Sequence, residues 1–528
     1  MPSTFEPPRF AHRPPPLPGG TEEVPLAIVG GGLVGLTAAL DLARHGVRSV
    51  LLDDDDTVST GSRAICFAKR TLEIMGRLGL GGRFLEKGVT WNRGRVFFGA
   101  REAYAFDLLP ESGHEYPAFV NLQQYHAEAW LVEACEATGL VDLRWRHKVA
   151  GIANRPDGAL LEVETPHGAY RLHAQWLLAC DGARSPLREA LGLPFTGQVF
   201  RDRFLIADVV MQAEFPTERW FWFDPPFHPG QSVLLHKQPD GVWRIDFQLG
   251  WEADPEAEKD PAKVRWRVEQ MLGPDVPFEL EWVSVYTFRC RRMQRFRHGR
   301  CFFLGDAAHQ VSPFGARGGN GAVQDADNLA WKLAAFLKGE APEALLDSYD
   351  AERVPAADEN ILNSTRSTDF ITPKNPAARA YRDAVLELAG EQPFARPLVN
   401  SGRLSRPAVL AGSPLNGPDE RPDAAPPGTP CPDAPVGQGD WLLRHLGGDW
   451  ALVAREAHPV AMPGLRPVLL TDTPRTGALH DHAGLAARRL GLLPGECALV
   501  RPDQHVAARF ATCAPEPILA AHRKALGR

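Results

Sequence analysis

The sequence predicts an α/β fold: a parallel-sheet domain that carries an inserted antiparallel sheet, followed by a separate C-terminal α/β domain. Residues 26–29 form a short apolar strand, residues 33–44 place small and leucine side chains on one helical face, and residues 49–52 form the next strand. This order is a βαβ unit, whose ligand edge lies at the carboxyl ends of the strands. Residues 202–288 are mostly strand-like, and a proline-rich interval at 413–435 separates the main body from the C-terminal unit.

Length and composition are typical of a multidomain globular protein. The 528 residues suggest roughly three domains of about 100–200 residues each. The formal net charge of −7 argues against a nucleic-acid or anionic-membrane partner. No signal-peptide pattern opens the chain and no apolar run of about 18 residues occurs, so we expect a cytoplasmic protein. The eight cysteines contain no Cys-x-x-Cys pair, and we expect free thiols and no metal site.

The middle of the chain alternates between apolar and polar residues as half-buried strands do. Strand-like stretches occur at residues 203–211, 219–223, 232–237, 242–249 and 281–288. The clearest alternation is in the fourth stretch, where one face is apolar and the other presents Arg244, Asp246 and Gln248.

A glycine-rich turn follows the first strand and opens the first helix. Gly30 permits the tight turn, Gly32 lets a pyrophosphate approach the backbone, and Gly35 allows the helix to pack closely on the strand. Asp53, 23 residues after Gly30, ends the second strand and can accept hydrogen bonds from a ribose hydroxyl, whereas it would repel a 2′-phosphate. The turn therefore indicates FAD or NAD rather than NADP.

Two further strands end in an aspartate next to a glycine. Asp181-Gly182 closes an apolar strand before Ser185, a natural helix N-cap, and Gly305-Asp306 closes another. Each pair alone is weak evidence, because a carboxylate at a strand end is often only a helix cap. A turn-rich segment at 313–321 then leads into a helix. The first backbone N–H groups of that helix can stabilise anionic charge on a bound ring system.

Together these motifs closely resemble the class A flavoprotein aromatic hydroxylases, and among them the 3-(3-hydroxyphenyl)propionate hydroxylase and phenol hydroxylase branch. The likeness runs from about residue 24 to residue 355. It implies an FAD site at the glycine turn, with Asp53 in place of the usual Glu; Asp54 is included with it, although a solvated acidic loop explains Asp54 as well. The FAD-binding candidates are Gly30, Gly32, Leu33, Val34, Gly35, Asp53, Asp54, Arg63, Gln124, Asp181, Gly182, Asp306, Pro313, Gly318, Gly319 and Asn320.

Two features qualify the likeness. Where family members commonly have Gly-Gln-Gly-Met-Asn, this chain has Ala316-Arg317-Gly318-Gly319-Asn320, so Arg317 alters the charge of the pocket. The C-terminal piece resembles the thioredoxin-like tail of the same branch, but without Cys-x-x-Cys it has no thioredoxin chemistry. We expect it to be structural, with homodimer contacts as one role left open.

The resemblance also divides the chain into domains. Residues 1–23 are expected to be a flexible proline-rich arm, or one draped over the surface. The Rossmann-like FAD-binding domain is discontinuous, the substrate-binding sheet is inserted into it, and a helical segment and linker lead to the thioredoxin-like domain. The predicted bounds are 24–90, 118–200 and 287–375 for the FAD-binding domain, 91–117 and 201–286 for the sheet, 376–435 for the linker segment and 436–528 for the last domain.

In this family NAD(P)H reduces FAD, dioxygen adds to form a C4a-hydroperoxide, and the distal oxygen hydroxylates an electron-rich ring. The resemblance thus implies a small phenolic or related aromatic substrate, with NADH and NADPH both left open. Our substrate candidates are Trp222, His236, Arg244, Gln248, Pro313 and Arg317. The catalytic candidates are His236, Arg244, Arg317 and His309. Solvent-facing positions explain Arg244 and Gln248 at least as well, and a structural hydrogen bond is the favoured role for His309.

Two other functions stay open at this point. A flavin-dependent halogenase is suggested faintly by the Trp-x-Trp pattern at residues 220–222, although an aromatic strand explains it better. A non-catalytic flavin-binding protein, with the C-terminal unit as its docking surface, is the alternative from a different class.

Overall fold

The computed structural model describes residues 5–61, 63–213, 215–399, 404–421, 424–457 and 462–528. Its strands are β1 (Thr21–Val29), β2 (Ser49–Asp53), β3 (Cys66–Ala68), β4 (Val89–Trp91), β5 (Arg93–Phe98), β6 (Arg101–Asp107), β7 (Phe119–Asn121), β8 (Val141–Trp145), β9 (Lys148–Arg155), β10 (Gly158–Thr165), β11 (Gly168–Ala179), β12 (Phe195–Met211), β13 (Arg219–Phe223), β14 (Ser232–Lys237), β15 (Val242–Leu249), β16 (Phe278–Met293), β17 (Arg297–His298), β18 (Cys301–Phe303), β19 (His309–Gln310), β20 (Ala451–Arg455), β21 (Arg466–Thr471), β22 (Leu479–His480), β23 (Cys497–Val500) and β24 (Val506–Phe510).

The helices follow the same numbering in chain order. They are α1 (Leu33–Arg44), α2 (Lys69–Arg77), α3 (Gly81–Lys87), α4 (Gln124–Thr138), α5 (Pro186–Ala190), α6 (Pro255–Glu258), α7 (Pro261–Leu272), α8 (Gly318–Leu337), α9 (Ser348–Ile371), α10 (Pro376–Glu391), α11 (Arg396–Val399), α12 (Leu485–Leu490) and α13 (Pro515–Ala525). No helix of the described ranges is both long and apolar enough to cross a bilayer.

The first domain is built on a largely parallel sheet with the strand order β17-β18-β11-β1-β2-β8, extended by β10 and β9. The central strand β1 pairs in parallel with β2 and β11, as the predicted βαβ unit requires. Helices α1 and α8 pack together against it. Because helices and loops cover the sheet, Leu26, Leu51 and Leu177 are fully buried in one apolar core.

The middle sheet has the order β19-β16-β12-β15-β14-β13-β5-β6. The five predicted strands of this region are all present. However, β12 and β16 are longer than expected and pair along most of their length, so the sheet runs from residue 195 to residue 293 instead of stopping at 201 and 286. One face packs on Val264 and Val268 of α7, and part of the opposite face packs on Val385 and Leu386 of α10.

The N-terminal arm lies against the first domain from Phe5 onward. Phe5 stacks on Tyr125 with ring centroids 4.2 Å apart, and Phe10 stacks on Trp145 at 4.4 Å. Of the two expectations, draped and flexible, these contacts support the draped arm for the described part. Strand β1 starts at Thr21, three residues before the predicted start of folding.

The proline-rich interval is not a free linker. The backbone N–H of Gly417 donates to the carbonyl of Ala507 at 2.7 Å, and that of Gly428 donates to Val506 at 2.7 Å. The described part of the interval, residues 413–421 and 424–435, therefore lies along β24 and belongs structurally to the C-terminal unit. That unit has the sheet order β22-β21-β20-β23-β24.

A buried charge network joins the C-terminal unit to the first domain. Arg501 donates to Glu352 of α9 at 2.6 Å and to Asp503 at 2.6 Å, and Lys332 of α8 donates to the same Glu352 at 2.5 Å. Arg70 of α2 reaches the carbonyl oxygen of Asp503 at 2.7 Å. Since α8 begins at the turn-rich segment, the C-terminal unit is anchored to the helix that starts at the functional site.

Candidate functional site

One cavity of about 1300 Å³ lies between the carboxyl edge of the parallel sheet and the open face of the middle sheet. Nearly all of the residues proposed from the sequence for FAD line it, although they come from seven separate parts of the chain. Those that line it are Gly30, Gly32, Leu33, Val34, Asp53, Asp54, Arg63, Gln124, Asp181, Gly182, Asp306, Pro313, Gly318, Gly319 and Asn320.

The glycine turn has the geometry that its sequence predicts. Gly30 has φ 110°, and a Cβ there would overlap the Cys180 carbonyl. A Cβ on Gly35 would overlap the carbonyl of Gly30, so Gly35 serves helix packing and does not itself line the cavity. A Cβ on Gly32 would meet nothing nearer than Glu128 Oε1, at 3.6 Å. The open side of Gly32 thus faces the space that a pyrophosphate needs.

Gln124 and Glu128, one turn apart on α4, hold the neighbouring loop against this turn. Glu128 accepts the N–H of Leu33 at 3.0 Å and that of Ser59 at 2.7 Å. Gln124 donates to Glu128 at 2.7 Å and accepts the N–H of Ala64 at 3.0 Å. Glu128 was not among the predicted residues, although its i, i+4 spacing from Gln124 places both on one helix face.

Asp53 ends β2 beside the turn, where a ribose would lie. Its carboxylate accepts the N–H of Gly31 at 2.5 Å and the N–H of Asp55 at 2.8 Å. Burial raises the pKa of Asp53 to about 6, against the lowering effect of these hydrogen bonds. Asp54 lines the same cavity, yet its side chain is exposed, as a solvated loop residue would be.

The two Asp motifs differ from each other. Asp181 accepts the hydroxyl of Ser185 at 2.8 Å and the N–H of Leu187 at 2.9 Å, so its side chain caps α5. Asp306 is exposed to the cavity, and the surrounding protein raises its pKa by desolvation, with His309 and Arg63 opposing the rise. Of the two carboxylates, Asp306 is therefore the one with an open face for a ligand.

The turn-rich segment brings the start of α8 to the cavity. The Asn320 side chain accepts the N–H of Ala68 at 2.8 Å and donates to the carbonyl oxygens of Cys66 at 2.8 Å and Ala316 at 2.6 Å. It is therefore used to fasten β3 to this segment. The first residues of α8 line the cavity, and Arg317 at the N-cap position contributes no side-chain hydrogen bond to the first turn.

Polar side chains form a row across the open face of the middle sheet. Arg219, His236 and Arg244 are direct neighbours on β13, β14 and β15, and all three line the cavity. Arg244 donates to Asp246 at 2.9 Å, and His236 Nε2 lies 3.3 Å from the same carboxylate. Burial lowers the pKa of His236 to about 4, with nearby Arg219 acting in the same direction and Asp246 opposing it. His236 is therefore neutral near pH 7.

Some of the predicted side chains have other roles. Arg244 is buried, so the expectation that it faces solvent was wrong. Trp222 lies on the opposite face of the sheet, in the core shared with α7, and does not line the cavity. Gln248 lies beyond the cavity and accepts the N–H of Ser232 at 2.9 Å. His309 binds buried Asp325 at 2.6 Å, the structural role favoured from the sequence. Arg317 lines the cavity and donates to Asn360 at 3.3 Å.

Comparison with known proteins shows the family of the chain. A protein-family profile described as "FAD binding domain" matches residues 23–364. The chain is 33% identical over 515 residues to 6-methylpretetramide 4-monooxygenase of Streptomyces rimosus, covering 91% of this chain and 90% of that protein. The chain belongs to the class A FAD-dependent aromatic hydroxylases.

Two further similarities support this family assignment. The chain is 31% identical to a 3-(3-hydroxy-phenyl)propionate/3-hydroxycinnamic acid hydroxylase of Mycolicibacterium smegmatis, over 70% of this chain and 65% of that protein. The crystal structure of the flavin-dependent monooxygenase PieE in complex with FAD and substrate shares the fold, with TM-score 0.82 at 22% identity, over 95% of this chain and 99% of that one.

These relatives identify the protein as a flavin-dependent monooxygenase that binds FAD. They do not favour the halogenase alternative. Trp220 and Trp222 pack edge to face with ring centroids 5.3 Å apart, which fits an aromatic strand. The thioredoxin-like nature of the C-terminal unit and a homodimer stay predictions.

Proposed function

We propose that the protein uses NADH or NADPH and dioxygen to hydroxylate a small phenolic compound. The observation that carries this proposal is that one cavity joins the FAD-binding turn to the polar row of the middle sheet. A ring bound against that row would lie in the same cavity as the FAD site, which is the arrangement that oxygen transfer to an aromatic ring requires.

FAD, when bound, supplies the redox chemistry and the oxygen transfer. Residues at the turn and on the first domain would hold it: Gly32 through its open backbone, Asp53 at the ribose, and Asp306 at the ribityl chain. Each assignment is supported by an open face or an accepting carboxylate at the cavity. The N-terminal end of α8 offers backbone N–H groups to the electron-rich edge of the ring system.

His236 is our candidate for the group that takes a proton from the substrate hydroxyl. It is neutral near pH 7, it lines the cavity, and neither of its ring nitrogens has a well-formed hydrogen bond in the described chain. Asp246, 3.3 Å from Nε2, would stabilise the imidazolium that results. A ring that carries the resulting negative charge on oxygen is more electron-rich and is attacked more readily.

The reductant is proposed to bind transiently near Asp181-Gly182. Arg184 and Arg289 line the cavity there and are both exposed, so they offer positive charge to the phosphates of a dinucleotide. The chain contains one glycine fingerprint, which FAD uses, so no second nucleotide domain is needed for this encounter.

The test is a turnover assay on the purified, FAD-loaded protein. NADH and NADPH are each supplied with a panel of phenols, and the consumption of reductant and oxygen is compared with hydroxylated product and hydrogen peroxide. We expect at least one phenol to stimulate oxidation and to yield product in proportion. A panel that gives neither stimulated oxidation nor product would reject the proposal. Trp222→Phe, which alters the same sheet on its far face, is the matched control and should retain the response.

A further inference from the structure

Arg219 is a buried cation on the cavity wall that sequence analysis did not identify. It opens β13, its side chain is 4% exposed, and it lines the cavity beside His236. A ring bound against this face would therefore lie beside Arg219.

The surroundings of Arg219 are apolar and contain little to balance its charge. Its Nη1 lies 3.7 Å from the Cys66 sulfur, and its guanidinium lies over the rings of Trp91 at 5.9 Å and Phe221 at 5.2 Å. Burial raises the pKa of Cys66, so that thiol stays neutral. The Nε atom is buried without a hydrogen-bond partner, and no carboxylate of the described ranges lies within ion-pair distance.

The neighbouring arginines differ in this respect. Arg244 is balanced by Asp246, with Asp208 on the next strand. Arg95 lies on β5, opposite Trp220 of β13, and forms ion pairs with Glu218 and Glu102. A buried guanidinium without a counterion is costly, since neither water nor an anion solvates it.

We propose that Arg219 binds an oxyanion of the aromatic substrate, either a ring carboxylate or the phenolate oxygen itself. This inference rests on the proposed function, because it assumes that an aromatic substrate binds against the middle sheet. It adds that the substrate binds as an anion, and it identifies Arg219 as the residue that selects for the charge. The planar guanidinium accommodates either oxyanion through its N–H donors.

The experiment measures binding alone, without reductant or turnover. FAD-loaded protein is titrated with two pairs of probes of similar shape, benzoate with benzamide and para-nitrophenol with para-nitroanisole, and binding is followed by the change in the flavin absorption spectrum. The first pair reports carboxylate recognition and the second reports phenolate recognition. The variants are Arg219→Met, Arg219→Lys and, as matched control, Arg95→Met, which removes an arginine that does not line the cavity.

We expect wild-type protein to bind the anionic member of at least one pair more tightly than the neutral member. The pair that shows this preference tells whether Arg219 binds a carboxylate or a phenolate. Arg219→Met should lower the affinity for that anion by about 10- to 100-fold, the value of one charge-assisted hydrogen bond. The affinity for the neutral member of the pair should stay nearly unchanged. Arg219→Lys should retain part of the preference and Arg95→Met all of it.

Two results would overturn the inference: wild-type protein that prefers neither anion, or Arg219→Met that keeps the wild-type preference. The first result needs no variant, so the test survives a variant that does not fold. Failure of turnover together with a preference that depends on Arg219 would instead reject the proposed function and leave the anion site standing.

Discussion

Replacing Gly32 with alanine should weaken FAD binding without unfolding the protein. Gly32 has φ −83°, which alanine adopts without strain, and its new Cβ would lie 3.6 Å from Glu128 Oε1, an ordinary contact. We therefore expect the free energy of unfolding of the FAD-free protein to change by less than about 1 kcal/mol. In the complex the methyl group would occupy the approach of the pyrophosphate and remove at least one hydrogen bond to a charged oxygen. A loss of about 1.5–3 kcal/mol, or about 10- to 150-fold in affinity, follows.

Two other glycines provide the comparison. Gly35→Ala places a Cβ on the Gly30 carbonyl, so it should destabilise the FAD-free protein itself by about 1–3 kcal/mol. Gly82→Ala, in α3 with open space around it, should leave FAD affinity unchanged and raise the free energy of unfolding by about 0.5–1 kcal/mol, because alanine favours the helix more than glycine does. Affinity is measured by titrating FAD-free protein with FAD and following flavin fluorescence, and stability is measured by urea unfolding. Gly32→Ala protein that binds FAD as tightly as wild type would refute this account of the turn.

Three further predictions concern the network, the polar row and the far face of the sheet. Arg501→Met removes the guanidinium shared by buried Glu352 and Asp503 and leaves Lys332 as the cation beside Glu352, so urea unfolding should show a loss of about 3–5 kcal/mol; a loss below about 1 kcal/mol would contradict the anchoring role. The pKa of His236 in the fold, about 4, lies below its ordinary value, so its contribution to stability is complete above pH 6.5 and is lost as pH falls toward 4. When the pH falls from about 7 to 5, the free energy of unfolding of wild type, measured with urea, should decrease by about 2 kcal/mol more than that of His236→Asn. Equal decreases would mean that His236 is not held in its neutral form by burial. Trp222→Phe should lower the thermal midpoint and leave the binding of the aromatic probes unchanged, whereas a selective loss of probe binding would return Trp222 to the site.

The parallel-sheet domain could be predicted because its signals are local. The strand, glycine turn and helix at residues 26–44 follow one another directly, and Gly30 and Gly35 are needed for steric reasons that involve nearby backbone. The proline-rich interval at 413–435 was misread because it pairs through its backbone with the edge of β24. Such pairing needs no apolar periodicity, so nothing in the pattern indicates it.

The site was predictable on the FAD side and only partly on the substrate side. Side chains alternate between the two faces of a strand, so choosing Trp222 on β13 selected the wrong face and excluded Arg219, three residues earlier. Apolar side chains cover both faces of this sheet, those of α7 on one face and those of α9 and α10 on part of the other, so polarity alone does not tell the faces apart. Arg244 was expected to face solvent for the same reason, since a polar residue at such a position fits a solvated face equally well.

Isotopically labelled dioxygen tests the central claim most directly. FAD-loaded protein is supplied with NADH or NADPH and with the phenol that most stimulates reductant oxidation, and the product is examined by mass spectrometry. We predict that each hydroxylated product carries one oxygen atom from dioxygen, with one equivalent of reductant consumed per product. Product that carries oxygen from water, or reductant consumption that yields only hydrogen peroxide across the whole panel, would contradict the assignment of hydroxylation to this protein.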